Sequence, residues 1–243
     1  MPRFFPQSID TRHALIQGED ARHIAQVLRL RPGDRLTLCD GQGSDYQARI
    51  LSLSPQEVSL ELLSQSPSRS EPSLRLHLYQ CCPKGDKLEW IIQKCVELGA
   101  FSITPVLSRF CVSRPDPKSA AKKGERYQKI ALSAAKQSGR GLVPAVHPQI
   151  PLEQALRELS ALPCSLFFYE QASLPLRQVL EKAPSSGDIG LLIGSEGGFS
   201  PEEAAQAAAA GLHTVSLGPR ILRCETAPLA ACTAILYATG NLE

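Results

Sequence analysis

The sequence predicts a mixed α/β protein, with a small β-rich segment followed by a mostly parallel sheet covered by helices on both faces. Two patterns predict it. Over the first seventy residues apolar and polar positions alternate in short runs, whereas beyond residue 73 strand-like runs alternate with helical spacing. Composition agrees: 43% hydrophobic and 21% charged residues exclude a disordered, collagenous or coiled-coil chain. No apolar run approaches the roughly 20 residues that span a bilayer, and Met1 to Gln7 lacks the pattern of a signal peptide. A cytoplasmic protein with no membrane partner is therefore expected. Eight cysteines include no C-x-x-C pair and several sit in apolar stretches, which predicts reduced thiols and no metal framework.

Each element has its own signal. Residues Ala21 to Leu30 have helical spacing (Ile24, Val27, Leu28) and stop before Pro32-Gly33. Asp34 to Cys39 and Tyr46 to Ile50 alternate on either side of the turn-rich Asp40 to Asp45, a hairpin, and Val58, Leu60 and Leu62 mark a third strand. Ser64 to Pro72 is nearly free of apolar residues and reads as a linker, which divides the chain into domains 1–70 and 73–243. Beyond it, Leu74, Leu76 and Leu78 mark a strand. A helix over Asp86 to Leu98 buries Leu88, Ile91, Ile92, Cys95 and Leu98 and closes at Gly99. Ile103 to Leu107 reads as a strand interrupted by Pro105. Helices are expected over Glu125 to Ser138 and Leu152 to Leu159. Strands over Ser165 to Tyr169, Ile189 to Ile193 and Thr214 to Leu217 are each followed by helical spacing, the last at Leu229 to Ala238.

Charge is uneven along this frame. Residues 1–72 carry a net charge of -1, residues 73–140 carry +8 and residues 141–243 carry -5. A strongly basic middle suits a polyanion, because phosphates are held chiefly by Lys and Arg, although scattered surface lysines give the same count.

Two glycine loops carry the chemistry. Ile193-Gly194-Ser195-Glu196-Gly197-Gly198-Phe199 follows an apolar strand and precedes Ser200-Pro201-Glu202-Glu203, a capping box with Pro at the first helical position. It matches neither a dinucleotide fingerprint nor a Walker A loop. After the next strand comes Leu217-Gly218-Pro219-Arg220-Ile221-Leu222-Arg223-Cys224-Glu225-Thr226-Ala227. Ligands gather at carboxyl ends of parallel strands, so both loops are expected to border one crevice. For Arg223 and Glu225 a helix-start salt bridge remains the alternative.

These two loops resemble the signature of the bacterial ribosomal RNA small subunit methyltransferase E family, of the SPOUT class. Met1-Pro2-Arg3-Phe4-Phe5, His23 with Val27-Leu28-Arg29-Leu30, Lys84-Gly85-Asp86-Lys87, Lys94 with Glu97-Leu98-Gly99, and Gln137-Ser138-Gly139-Arg140 are similar to further blocks, so the resemblance spans essentially the whole chain. Ser195 stands where the family usually has proline and Cys224 where it usually has threonine. The resemblance implies a SPOUT-type α/β sheet with a C-terminal trefoil knot, and a PUA-like β-barrel at the N-terminus that helps hold RNA. It implies methyl transfer from S-adenosylmethionine to N3 of one uridine in the decoding region of 16S ribosomal RNA in the small subunit, by a homodimer.

Roles follow from that expectation. Phe168, Glu170, Gly194, Glu196, Gly197, Leu217, Gly218, Ile221 and Leu222 are the candidate cofactor contacts, offering backbone groups and apolar surface to adenine. Uracil N3 bears a proton, so Arg223 is the candidate for stabilising the uridine anion, and Glu196 or Glu225 for accepting the proton or orienting Arg223. Candidate RNA contacts are Arg3, Arg22, His23, Arg29, Lys84, Lys87 and Arg140, with Lys94, Arg109, Arg114 and Arg126 behind them. The glycine loops do not themselves name the acceptor atom. Ribose methylation, or an RNA-binding assembly factor without chemistry, stays open at this point.

Overall fold

The computed structural model describes residues 3–112 and 117–242, with the side chains of all of these except 117 and 118. The chain forms two compact units, Met1–Glu71 with Ala135–Val143, and Pro72–Ala134 with Pro144–Glu243. A division near residue 70 does not anticipate that Ala135–Val143 belongs to the first unit.

The first unit contains β1 (Arg3–Phe4), β2 (Ser8–Ile9), β3 (His13–Gln17), α1 (Glu19–Arg22), β4 (Arg35–Cys39), β5 (Ser44–Leu53) and β6 (Glu57–Pro67). They form a six-stranded sheet in the order β1-β4-β5-β6-β3-β2. Its core is Ile16, Ile24, Leu36, Leu38, Ile50, Val58 and Leu60, all at most 1% exposed; each such side chain contributes about 1.5–3 kcal/mol by leaving water.

Two expectations are corrected in this unit. The helix over Ala21 to Leu30 is one turn of α1 followed by a π-helical turn at His23–Val27, closed by Leu28 N–H donating to the His23 carbonyl at 3.0 Å. That wider turn breaks the 3.6-residue stripe, so Ile24 stays buried while Val27 is 66% exposed. The linker over Ser64 to Pro72 begins instead as strand, since β6 runs to Pro67 and pairs Ser64 to Pro67 with Ser44 to Gln47. A backbone ladder needs no apolar side chains, which is why the polar run concealed it.

The second unit contains β7 (Leu74–Cys81), α2 (Lys87–Leu98), β8 (Ser102–Leu107), α3 (Pro117–Ser138), β9 (Ala145–Val146), β10 (Ile150–Pro151), α4 (Leu152–Ser160), β11 (Cys164–Phe168), β12 (Leu174–Pro175), α5 (Leu176–Leu180), β13 (Gly187–Ile193), α6 (Pro201–Ala209), β14 (His213–Ser216) and α7 (Thr226–Ala238). Its sheet has the order β10-β8-β7-β13-β11-β14-β12, with β9 also on β8. Every pairing in it is parallel, as the alternation of strands and helices predicts. All five positions of β11 are buried, which requires cover on both faces. Pro105 does not interrupt β8: it lies in the gap between β9, which pairs with Ser102 and Ile103, and β10, which pairs with Val106 and Leu107. All eight cysteines are free and buried.

Near the amino ends of β7 and β13, Asp188 accepts from Arg75 at 2.7 and 2.5 Å and faces His77 Nε2 at 2.8 Å. Hydrogen bonds from Arg75, then His77, hold its carboxyl well below the usual aspartate range. The folded-state value lies beneath the unfolded one, so this stabilisation is complete above about pH 4 and fades as pH falls further. Solvent screening limits it to about 1 kcal/mol, because Arg75 is half exposed. Asp188→Asn should therefore lower the urea midpoint at pH 7 and lower it by less near pH 2, where part of the stabilisation has been lost, as chemical denaturation at both values will test.

Candidate active site

Strand register determines where the glycine loops rise. Phe167 pairs with Leu192 of β13 and Phe168 with Val215 of β14, so β11 lies between them and all three strands end at one level. The first loop leaves β13, the second leaves β14, and between them Phe168 ends β11, followed by Tyr169 and Glu170. The three segments line a cleft of about 530 Å³, within the range of small-molecule sites. Its walls include Phe168, Glu170, Gly194, Glu196, Gly197, Leu217, Gly218, Ile221, Leu222 and Arg223, together with Tyr169, Arg220 and Cys224. Thus the residues expected to contact a cofactor are brought together. Tyr169 falls inside the strand-end run Phe168 to Glu170 expected near the cofactor, whereas Arg220, in the second loop, was not singled out.

Both ends of the first loop are pinned. Gly198 N–H donates to the Ser195 carbonyl at 3.0 Å, closing a turn, and Phe199 packs on Phe167 with ring centroids 4.4 Å apart. The capping box forms as predicted: Glu203 N–H donates to Ser200 Oγ at 3.3 Å and Ser200 N–H to Glu203 Oε2 at 2.8 Å, while Arg109 N–H reaches Glu203 Oε1 at 2.7 Å. Glycine is required here. Gly198 has a φ of 64°, and a Cβ on Gly197 would lie 2.8 Å from Phe110 Cβ.

The charged groups converge on one lysine. Lys87 Nζ, at the start of α2, lies 3.0 Å from Glu196 Oε1 and 3.4 Å from Glu225 Oε2. Lys84 N–H also points at both Glu196 oxygens, at 3.2 and 3.3 Å. Burial opposes ionisation of Glu196, yet Lys87 and the backbone donors outweigh it, and its carboxyl stays below the ordinary range. Glu225 is likewise lowered, first by the Cys224 thiol donating to it at 3.1 Å. The Cys224 thiol is itself pushed up to about 12 by burial and then by Glu225. Arg223 is exposed at the cleft; its carbonyl accepts from Thr226 and Ala227 N–H at 2.9 Å, while its side chain has no hydrogen bond or ion pair among the described residues, so the helix-start salt bridge considered from the sequence is not formed. Glu225 pairs with Lys87 instead.

A family model described as an RNA methyltransferase domain matches residues 70–236, and one described as an RNA methyltransferase PUA domain matches residues 16–63. The ribosomal RNA small subunit methyltransferase E of Bacillus subtilis is 35% identical over 233 residues, covering 94% of this chain and 91% of that relative. The chain belongs to the ribosomal RNA small subunit methyltransferase E family. Its Synechocystis member is 31% identical over 232 residues, covering 95% of this chain and 75% of that relative. The crystal structure of the Neisseria gonorrhoeae member, described as bound to S-adenosyl methionine, superposes with a TM-score of 0.84 at 37% identity, covering 98% of this chain and 97% of that one.

Against this family frame, the expected RNA contacts divide sharply. Arg22, His23 and Arg29 are exposed on the first unit without ion pairs among the described residues, and Arg29 has a φ of 53° after the π-helical turn. Arg3 is committed within its unit, to Asp45 at 2.8 Å and the Gly139 carbonyl at 2.6 Å. Arg140, only 3% exposed, pairs with Glu71 at 2.6 Å. Lys87 pairs with Glu196 and Glu225, while Lys94, Arg109 and Arg126 pair with Glu97, Glu202 and Glu89. Arg114 lies outside the described residues. Lys84 is exposed, as are Lys122, Lys123 and Lys129 of α3, whose side chains have no hydrogen bond or ion pair among the described residues and which were not singled out beforehand.

Two outcomes follow from this geometry. Removing one partner of a buried ion pair costs about 3–5 kcal/mol, so Arg140→Ala should depress the denaturation midpoint; normal stability with selective loss of RNA binding would refute a structural role. Gly197→Ala should force Phe110 and the first loop apart. A melting temperature and Phe110 side-chain NMR shifts both matching the parent would show that the loop tolerates a methyl group.

Proposed function

We propose that this chain transfers a methyl group from S-adenosylmethionine to N3 of one uridine in the decoding region of 16S ribosomal RNA in the small subunit. The observation that carries this reading is an arginine with an unpaired side chain, Arg223, lining a two-loop cleft that Glu196 also lines, with Glu225 joined to Glu196 through Lys87.

The cleft fits the cofactor. Its glycine backbone permits close approach at Gly194 and Gly197, and Phe168, Leu217, Ile221 and Leu222 supply apolar surface for a purine. When bound, S-adenosylmethionine supplies a methyl group already activated by a sulfonium. The residues then have to hold uracil in line and manage one proton. Arg223 stabilises negative charge on the uracil oxygens as N3 loses its proton. Glu196 or Glu225 takes that proton, and the electron pair left on N3 forms the new bond to carbon. Both carboxylates lie below the ordinary range, so each is ionised at neutral pH but a weak base, and stabilisation of the anion by Arg223 has to supply the remaining driving force.

In this reading residues 1–70 are a PUA-like barrel that holds RNA and residues 73–243 are the SPOUT catalytic domain. Exposed Arg22, His23 and Arg29 support the first assignment. The knot, the homodimer and the cytoplasmic location belong to the same reading and rest on family membership. Among the described residues no helix is long and apolar enough to cross a membrane.

Incubation with methyl-labelled S-adenosylmethionine and small subunits lacking the modification, followed by nucleoside mass spectrometry, tests the reading. Label on uridine N3 is expected; label on ribose, or none, overturns it. Arg223→Ala should lose about 100- to 1,000-fold in kcat while calorimetry finds cofactor affinity within about threefold of wild type; near-normal turnover would remove Arg223 from the mechanism.

A further inference from the structure

Lys87 breaks a local rule. It is the first residue of α2, where the positive end of the helix dipole favours Asp or Glu and disfavours a cation. Asp86, at the N-cap, gives no side-chain cap. Lys87 lies 109 residues from Glu196 in sequence, and its ammonium sits 3.0 Å from Glu196 and 3.4 Å from Glu225. Residues that violate local preference in a folded chain are expected at functional sites.

Two loops contribute the carboxylates and a third element contributes the cation. Glu196 lies in the loop after β13, Glu225 at the start of α7, and Lys87 at the start of α2. The groups facing this ammonium are the two carboxylates and the Cys224 Sγ at 3.9 Å. Cys224 stays a neutral thiol and donates to Glu225 at 3.1 Å. Without Lys87 the two carboxylates, each within 3.4 Å of its ammonium, would lose the cation they share, and repulsion between like charges would favour a proton on one of them.

We propose that Lys87 is a positioning residue for methyl transfer: its ammonium ties the carboxylates of the two glycine loops together and keeps them as an ionised pair. The proposal rests on the reading given under Proposed function. Lys87 touches neither the purine surface nor the reacting uracil in that reading; it acts through Glu196 and Glu225. It sets which protonation state the acceptor carboxylate starts from, and it holds the loop after β13 against the loop after β14. A lysine used only to grip an RNA phosphate would do neither.

The test is a carbon-13 NMR titration of glutamate carboxyl groups in the full chain, assigned with Glu196→Gln and Glu225→Gln, alongside the pH profile of kcat. In Lys87→Met one of the two carboxyls should titrate about one pH unit or more higher than in wild type, and the acid limb of kcat should move with it. Lys87→Arg should restore both. In Lys87→Met with Glu225→Gln the like charge is gone, and Glu196 should titrate near the ordinary glutamate range. An unmoved carboxyl titration in Lys87→Met, or a rise in KM for RNA alone, overturns the proposal. If wild-type protein methylates no uridine, the functional reading fails, while the carboxyl titration still decides the place of Lys87.

Discussion

Three parallel strands stopping at the same level is the constraint on which the cleft depends. Phe167 stands beside Leu192, and Phe168 beside Val215. A slip of one residue would turn every side chain of β11 to the opposite face. All five of its positions are buried, so such a slip would exchange one packed set for another throughout the sheet. Register is therefore enforced by packing, and the loops inherit their positions from it. Phe199 extends the same packing upward by resting on Phe167, and the Ser200–Glu203 capping box fixes the following helix. Little of the first loop is left free to wander.

On this rigid edge, weak contacts can have chemical rather than structural value. Lys87 is 38% exposed, so water screens its pairing with Glu196 and Glu225, and its removal should leave the fold largely intact. Proton affinity is a different matter. A carboxylate responds to whichever charge stands beside it, and Lys87 lies within 3.4 Å of both Glu196 and Glu225. Arg140 shows the opposite balance: almost wholly buried against Glu71, it contributes to holding Ala135–Val143 in the first unit. Exposure thus separates an ion pair that tunes a site from one that holds a fold.

Local features were readable in the residues themselves. The Ser200-Pro201-Glu202-Glu203 helix start and the Asp40 to Asp45 turn depend on spacing of a few positions, and each formed; the α2 stripe formed with Leu88, Ile91, Ile92 and Cys95 buried, but Val96 is buried where Leu98 was expected and Leu98 is half-buried. The parallel sheet followed from alternation. What was not readable is what depends on distant partners. β11 enters between β13 and β14 although it precedes both, so its strand end becomes the middle of the cleft; only long-range pairing decides that. Lys87 matched a block expected to meet RNA, but the residues that claim its charge are more than a hundred positions away. Arg3 and Arg140 were absorbed in the same manner by Asp45 and Glu71. The π-helical turn after α1 was invisible because it requires only one unpaired register step.

The basic middle of the chain illustrates how far charge arithmetic reaches. Residues 73–140 carry a surplus of eight positive charges, yet Lys87, Lys94, Arg109, Arg126 and Arg140 each lie beside a carboxylate. Several of those carboxylates, Glu196 and Glu202 among them, come from the acidic last third. Opposite surpluses in sequence therefore partly cancel in space. Among the described residues, Lys84 and the α3 lysines Lys122, Lys123 and Lys129 stay without an ion pair, as do Arg22, His23 and Arg29 on the other unit. A polyanion responds to unpaired charge and to the field it projects, not to a count along the chain. The cations with the strongest claim to RNA are accordingly those that the folded protein leaves without partners of its own.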